Sequence, residues 1–564
     1  MKLIEDKLLK YEEEKLRISQ IEKEKLQIEE DEQKKKQIRD QQKIHKKSIA
    51  QVFPKGSILY DSSFFNGQQF PRWKDDKHSI NASPLQIIPF SSHVEYPFNA
   101  IRLKYLSKLF RPKKIFSDEK DEIVMYQKSD GCESQLLQKD RWKYIKQGYV
   151  NDCSLISAII AMTFMEDKIN QPLVYDKIYP RGPDNIGIYN VNGQYHLRLF
   201  FNGDYRMVEI DDLLPCVPSI IQQTEQSLQI QIASGRSILR GELWVSILEK
   251  GLLRLFRGYD SVGVRPSSAV FAFCQWIPDP SFKLSNIYQH DYEYQKLMKR
   301  IQSGDVLVVV AIQQDQLSKS QEKELGLYNT HSYALLDAIQ VQETKLLKIK
   351  NPHRQNVWRG KYSAWDKQSW TTLLQEATGF SPVQSEEECD KDGTFYMELT
   401  DFQKYFNRED LCWNPKLLPF RQKIHFEYNE LYYKIEYKTV RNRFSPQFLM
   451  FKSSKEQKIW ILLNKHYQGN SLRTRETKEE EDKLYFVVSI CTHYNPQEIP
   501  YFQRVSLYNE NQVFRYYYSQ QYFNLVKIGL FDEEIHQTSI DEQGLDKIQL
   551  GLAKMHHFMK DYLG

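Results

Sequence analysis

The stretch Asp152–Lys168, DCSLISAIIAMTFMEDK, holds no charged residue between Cys153 and Met165, and it constrains the chain more than any other feature. A run of this length and composition reads as a helix, and an apolar helix of this kind belongs inside a core. Asn151 and Asp152, both N-cap types, stand directly before it, so Cys153 is expected in the first helical turn. There the macrodipole and the unpaired N–H groups favour a thiolate, and a lowered thiol pKa is what a cysteine nucleophile needs. Taken alone, such a cysteine is more often an inert core thiol.

The surrounding chain divides by character. Residues 1–50 contain no Gly or Pro and are dense in Glu, Lys, Gln, Leu and Ile, which predicts a charged helix. Its apolar residues keep no sustained heptad, so a solvated single helix and a coiled coil both fit. Residues 51–135 scatter prolines and aromatics and then run basic (RLKYLSKLFRPKKIF), as in irregular chain anchored on a domain. From 136 to 265 and from 266 to 415 helices and strands mix. YHLRLFFNGDYRMVEIDDLLP predicts two strands turning at Asn202-Gly203, and GELWVSILEKGLLRLF predicts a second helix. SGDVLVVVAI, HSYALLDAIQV and TKLLKIKNP read as strands of an antiparallel sheet. Residues 416–564 are dominated by strands separated by polar turns, as in a whole or partial β-sandwich, with a last helical stretch.

At 564 residues the chain is too long for one core, and several domains are expected. A net charge of +4 from 78 basic and 74 acidic residues gives no global field that would favour nucleic acid as a partner. The seven cysteines are scattered, odd in number and never spaced C-x-x-C, which fits a reducing compartment better than a disulfide framework. No segment approaches the ~20 uncharged apolar residues of a membrane helix, and the N-terminus lacks the apolar stretch of a secretory signal. The expectation is a cytoplasmic protein, with a position peripheral to membranes left open.

His331 and Asn351 lie about equally far from a polar turn near Gln342-Glu343, so a hairpin should make them neighbours. An amide oxygen on one imidazole nitrogen fixes the tautomer and leaves the other nitrogen for a thiol. A histidine and an asparagine that merely end two strands fit the same spacing. Gln147, in QGYVNDC, stands six residues before the cysteine, where Gly148 permits a tight turn. Its amide and the backbone N–H of Cys153 can then flank an oxyanion.

The blocks QGYVNDCSLISAI, GELWVSILEKGLLRLFRGYD, THSYALLDA, LLKIKNPHRQNVWRGKYS and DGTFYMELTDFQKYF resemble, in order, those of the calpain family of cysteine proteases, over about Arg141–Phe406. The Asp-Cys-Ser start and Thr330 resemble its atypical, PalB-like branch. The resemblance implies an α+β fold: a two-lobed papain-like core, with Cys153 and Gln147 on one lobe and His331 and Asn351 on the other, followed by a C2-like β-sandwich. It implies an endopeptidase of the calcium-dependent type making limited cuts in protein substrates, with membranes or trafficking proteins as partners of the sandwich. Many calpains have Trp at the positions of Ser154 and His353 and Gly at those of Asn151 and Thr330. Those departures keep a second reading open, an inactive calpain-like adaptor. A transglutaminase-type acyltransferase would ordinarily orient its histidine with Asp, not Asn351.

No cofactor is required by these motifs, and calcium is the one the resemblance admits. DKDGTFYMELTD spaces Asp390 and Asp392 suggestively, but Gly393 comes two positions too early for an EF-hand loop and no Glu closes it, so a turn into a strand is expected.

Overall fold

One antiparallel sheet with apolar residues on both faces organises the computed structural model of the chain. The structure describes residues 139–218, 230–255, 264–279, 291–383 and 392–418, short stretches between 62 and 137, Tyr259, and β-strands between 447 and 532. The expected helix of residues 1–50 and the expected C-terminal helix lie outside the described residues, as does Asp390.

The apolar run forms α1, Cys153–Ile169, with buried residues on every side from Leu155 to Met165. Its buried hydroxyls are satisfied: Thr163 donates to the carbonyl of Ile159 at 2.8 Å and Ser157 to that of Ser332 at 2.9 Å. Its buried carboxylate, Glu166, accepts the backbone N–H groups of Leu173, Val174 and Tyr175 at 2.6, 2.7 and 3.0 Å and pairs with Arg141 at 3.2 Å. Left unmade, such buried polar groups would each cost about 1–3 kcal/mol.

The predicted hairpin is β1, Gln194–Phe201, and β2, Asp204–Asp211, paired through Phe201 and Asp204. Asn202 and Gly203 both take positive φ, 47° and 76°, the conformation a two-residue turn of this kind demands. Helix α2, Trp244–Leu255, and helix α3, Pro266–Cys274, bury their apolar faces against the same core as α1.

The six-stranded sheet comprises β3 (Ile277–Pro278), β4 (Val306–Ile312), β5 (His331–Val341), β6 (Thr344–Lys350), β7 (Thr394–Glu398) and β8 (Arg408–Trp413), in the order β3-β8-β4-β5-β6-β7 with every pairing antiparallel. Strand alternation divides it between two cores. Leu307, Val309, Ala334 and Leu336 join the core of α1. Val306, Val308, Val310, Tyr333 and Leu335 point the other way, into a second core with Trp358, Phe395, Phe402 and Phe406. Each fully buried side chain of this size contributes roughly 1.5–3 kcal/mol of transfer free energy, so the sheet is held from both sides.

Beyond residue 447, strands Gln447–Phe451, Phe523–Asp532, Leu484–Tyr494 and Gln503–Tyr508 pair in that order as one sheet, and Gln457–Leu463 pairs with Gln512–Tyr518 as another. The described chain is thus of mixed helix and sheet, in line with the α+β class. Among the described residues no helix is long and apolar enough to cross a membrane.

Candidate active site

Cys153 occupies the first position of α1, as the capping residues predict. The cap itself departs from expectation, because the Asp152 side chain makes no hydrogen bond to the helix N–H groups. It is buried beside Glu249 of α2 instead, and burial pushes both carboxyls upward, Glu249 well above the usual range. Glu249 also accepts the N–H of Gly235 with both oxygens, at 2.9 and 3.0 Å.

The thiol departs as well. Burial pushes the Cys153 sulfhydryl above its ordinary pKa, the backbone N–H of Ser332 opposes this, and Asp152 adds to the upward push. Desolvation of the charged form is the largest of these influences, and its direction is opposite to the lowering that a helix terminus favours. The contact with Ser332 matters for geometry, since Ser332 follows His331 at the start of β5.

His331 and Asn351 are hydrogen-bonded: Nε2 lies 2.9 Å from Asn351 Oδ1. The turn between the two strands falls at Gln342-Glu343, where Val341 pairs with Thr344. The equidistance argument nevertheless needs correction. A bulge between Leu335 and Asp337 shifts the register so that Ala334 pairs with Lys350, and Asn351 therefore meets His331 on a diagonal. The amide is held on every side. Oδ1 also accepts the N–H of His353 at 3.0 Å, and Nδ2 donates to the carbonyls of Gln355 at 2.7 Å and Asn356 at 2.9 Å. These two carbonyl acceptors fix which end of the amide faces the imidazole.

Rings enclose His331. His353 lies over it at 4.3 Å between centroids, Tyr333 stands edge-on at 4.7 Å and Tyr328 at 5.8 Å. Burial pushes the imidazole down to about 3; His353 pushes the same way and the Asn351 hydrogen bond opposes. The imidazole is thus neutral, and with Nε2 committed to Asn351 its Nδ1 is the nitrogen left for chemistry.

Gln147 is buried, and its Nε2 donates to the carbonyl of Val150 at 2.9 Å, which ties the side chain to the loop that leads into α1. Gly148, expected to permit a tight turn, allows a close approach instead: a Cβ there would run into the backbone oxygens of Ala233 and Ser234. Of the Trp-to-Ser and Trp-to-His departures, Ser154 donates to the carbonyl of Val264 at 2.6 Å, and His353 lays its imidazole over the His331 ring. Thr330 takes φ 51°, which accounts for the glycine common at that position.

The calcium-like motif has a turn role. Asp392 Oδ1 accepts the N–H of Thr394 at 2.8 Å, Gly393 has φ 77°, and the chain enters β7. Among the described residues, no group of three or more His, Cys, Asp or Glu side chains gathers as metal ligands would.

A half-buried thiol at a helix start, in contact with the residue that follows a neutral imidazole held by an amide, is an arrangement for nucleophilic acyl chemistry. The comparisons agree with that. The family described as calpain family cysteine protease matches residues 109–413. Calpain-7 of Homo sapiens is 29% identical over 328 residues, 57% of this chain and 38% of that protein. The calpain-like protease palB/cpr-8 of Neurospora crassa is 26% identical over 432 residues, 76% of this chain and 42% of that protein. The calpain-like protease palB of Emericella nidulans is 26% identical over 443 residues, 77% and 47% respectively. The chain thus spans less than half the length of these relatives. With the match to residues 109–413 covering more than half of its 564 residues, the chain belongs to the calpain family of cysteine proteases.

Proposed function

We propose that the chain is an intracellular cysteine endopeptidase making limited cuts in protein substrates, with Cys153 as nucleophile, His331 as its base and Asn351 as the orienter of that base. The observation that carries this reading is the 2.9 Å bond from His331 Nε2 to Asn351 Oδ1, which leaves Nδ1 free beside the β5 start that Cys153 touches.

In this mechanism His331 Nδ1 takes the Cys153 proton as the sulfur attacks the scissile carbonyl. The raised thiol and lowered imidazole favour proton transfer concerted with attack over a resting ion pair. The oxyanion is received by the backbone N–H of Cys153 and by the second Nε2 hydrogen of Gln147, the first being held by Val150. The imidazolium then protonates the leaving amine, and water, deprotonated by His331, releases the acyl group.

The lobes are taken as residues 136–265 and 266–415, with residues 416–564 as a calpain-type sandwich that docks on membranes or trafficking proteins. The raised Cys153 thiol favours one second reading, an inactive adaptor of the same fold. Labelling with a thiol-reactive peptide epoxide separates the two: stoichiometric adduct at Cys153 that disappears in His331→Gln supports the enzyme, and an unlabelled Cys153 supports the adaptor.

A further inference from the structure

The turn that carries Asn351 is gripped from the other side of the molecule. Lys350, fully buried, directs its Nζ to the backbone carbonyls of Asp392 and of Lys143, the latter at 3.4 Å. Arg354, three residues after Asn351, donates Nη1 to the same Lys143 carbonyl. Between them, the carbonyl of Pro352 accepts the N–H of Gln147 at 2.8 Å. Three bonds thus cross from the Asn351 turn to residues 143–147, a segment otherwise anchored by the pairing of Ile145 with Ser237 and Lys146 with Arg236.

The site has little freedom to relax. Asn351 N–H donates to Gly393 O at 2.9 Å, and a Cβ on Gly393 would sit 2.7 Å from Arg354 Cα and from Asn351 O. Lys350 also lies 5.8 Å from the Trp142 ring centroid. Burying the lysine and arginine head groups to hold the Asp392 and Lys143 carbonyls is costly unless those positions are worth holding.

We propose that Lys350 and Arg354 form a latch that fixes the Lys143 carbonyl and thereby holds the oxyanion side of the cleft, at Gln147, in register with the Asn351 turn. They are positioning residues; neither touches the reacting atoms. The inference rests on the hydrolytic reading above, since it assigns Gln147 and Asn351 their roles. A displacement of about 1 Å between such groups costs on the order of 10²-fold in rate.

The test is hydrogen exchange resolved to the Gln147 amide, together with kcat and KM on a peptide substrate, in the full chain and its Lys350→Met, Arg354→Met and Arg354→Lys variants. The Met variants should exchange the Gln147 amide at least about tenfold faster and lose kcat with KM changed less than about twofold, while Arg354→Lys recovers part of both. Exchange at Gln147 that matches wild type in the Met variants overturns the latch, as does loss of kcat only in proportion to lost folded protein. The Arg354→Lys chain, the mildest change, keeps the exchange readout open if a Met variant fails to fold. Faster exchange in a chain whose wild type cleaves nothing upholds the latch and overturns the hydrolytic reading instead.

Discussion

His353 lays its ring over His331 with 4.3 Å between centroids and 32° between planes, so the imidazole bonded to Asn351 is covered by a second imidazole. That cover has two effects of the same sign. It excludes water from His331, and it adds a positive neighbour when protonated, and both hold the His331 pKa down. His353→Ala should therefore raise it and move the acid limb of kcat/KM to higher pH. His353→Phe, which keeps the cover, should shift the limb less. A pH–rate profile of the two variants checks this, and an unshifted limb in His353→Ala would count against the cover.

A His331 imidazole held down to about 3 also makes stability depend on pH. The unfolded chain, with an ordinary pKa near about 6.5, binds this proton at higher pH than the native one. Native stability is then full above about 6.5 and falls as pH drops toward about 3, by on the order of 2–3 kcal/mol at pH about 4.5. His331→Gln lacks this group, so denaturant melts should show it losing less stability than wild type between neutral pH and about 4.5.

Asn351 makes two bonds through Oδ1 and two through Nδ2, all inside the protein. Asn351→Ala strands the carbonyls of Gln355 and Asn356 and releases the imidazole. We expect a loss of about 2–4 kcal/mol in stability and on the order of 10²-fold or more in kcat, read by chemical denaturation and steady-state kinetics.

Thr330, a β-branched residue, sits at φ 51° immediately before His331. Thr330→Gly should relieve roughly 1 kcal/mol of backbone strain, partly offset by the entropy of a freer unfolded chain. A melting temperature that falls in this variant would show that the Thr330 side chain stabilises the site in a way its backbone angle does not reveal.

Much of this was legible in the sequence because it is local. The apolar helix beginning at Cys153, the Asn202-Gly203 turn and the turn at Gln342-Glu343 follow from residue types within a few positions. The proximity of His331 and Asn351 was also legible, though through a bulge at Leu336 that no propensity announces. What escaped is what burial and long-range packing decide. The Asp152 carboxyl turns to Glu249, on a helix nearly a hundred residues later, and the thiol is desolvated by burial beside Ser332 of β5. No local pattern marks Lys350 or Arg354, and their shared acceptor lies more than two hundred residues away.

The most direct test is cleavage of an unstructured protein such as casein by the purified chain and its Cys153→Ala variant, with and without a calcium chelator. The account predicts cleavage by the wild type and none measurable by Cys153→Ala, at equal circular dichroism and melting temperature. Cleavage at the wild-type rate by Cys153→Ala, or no cleavage by a folded wild type in either condition, would contradict it.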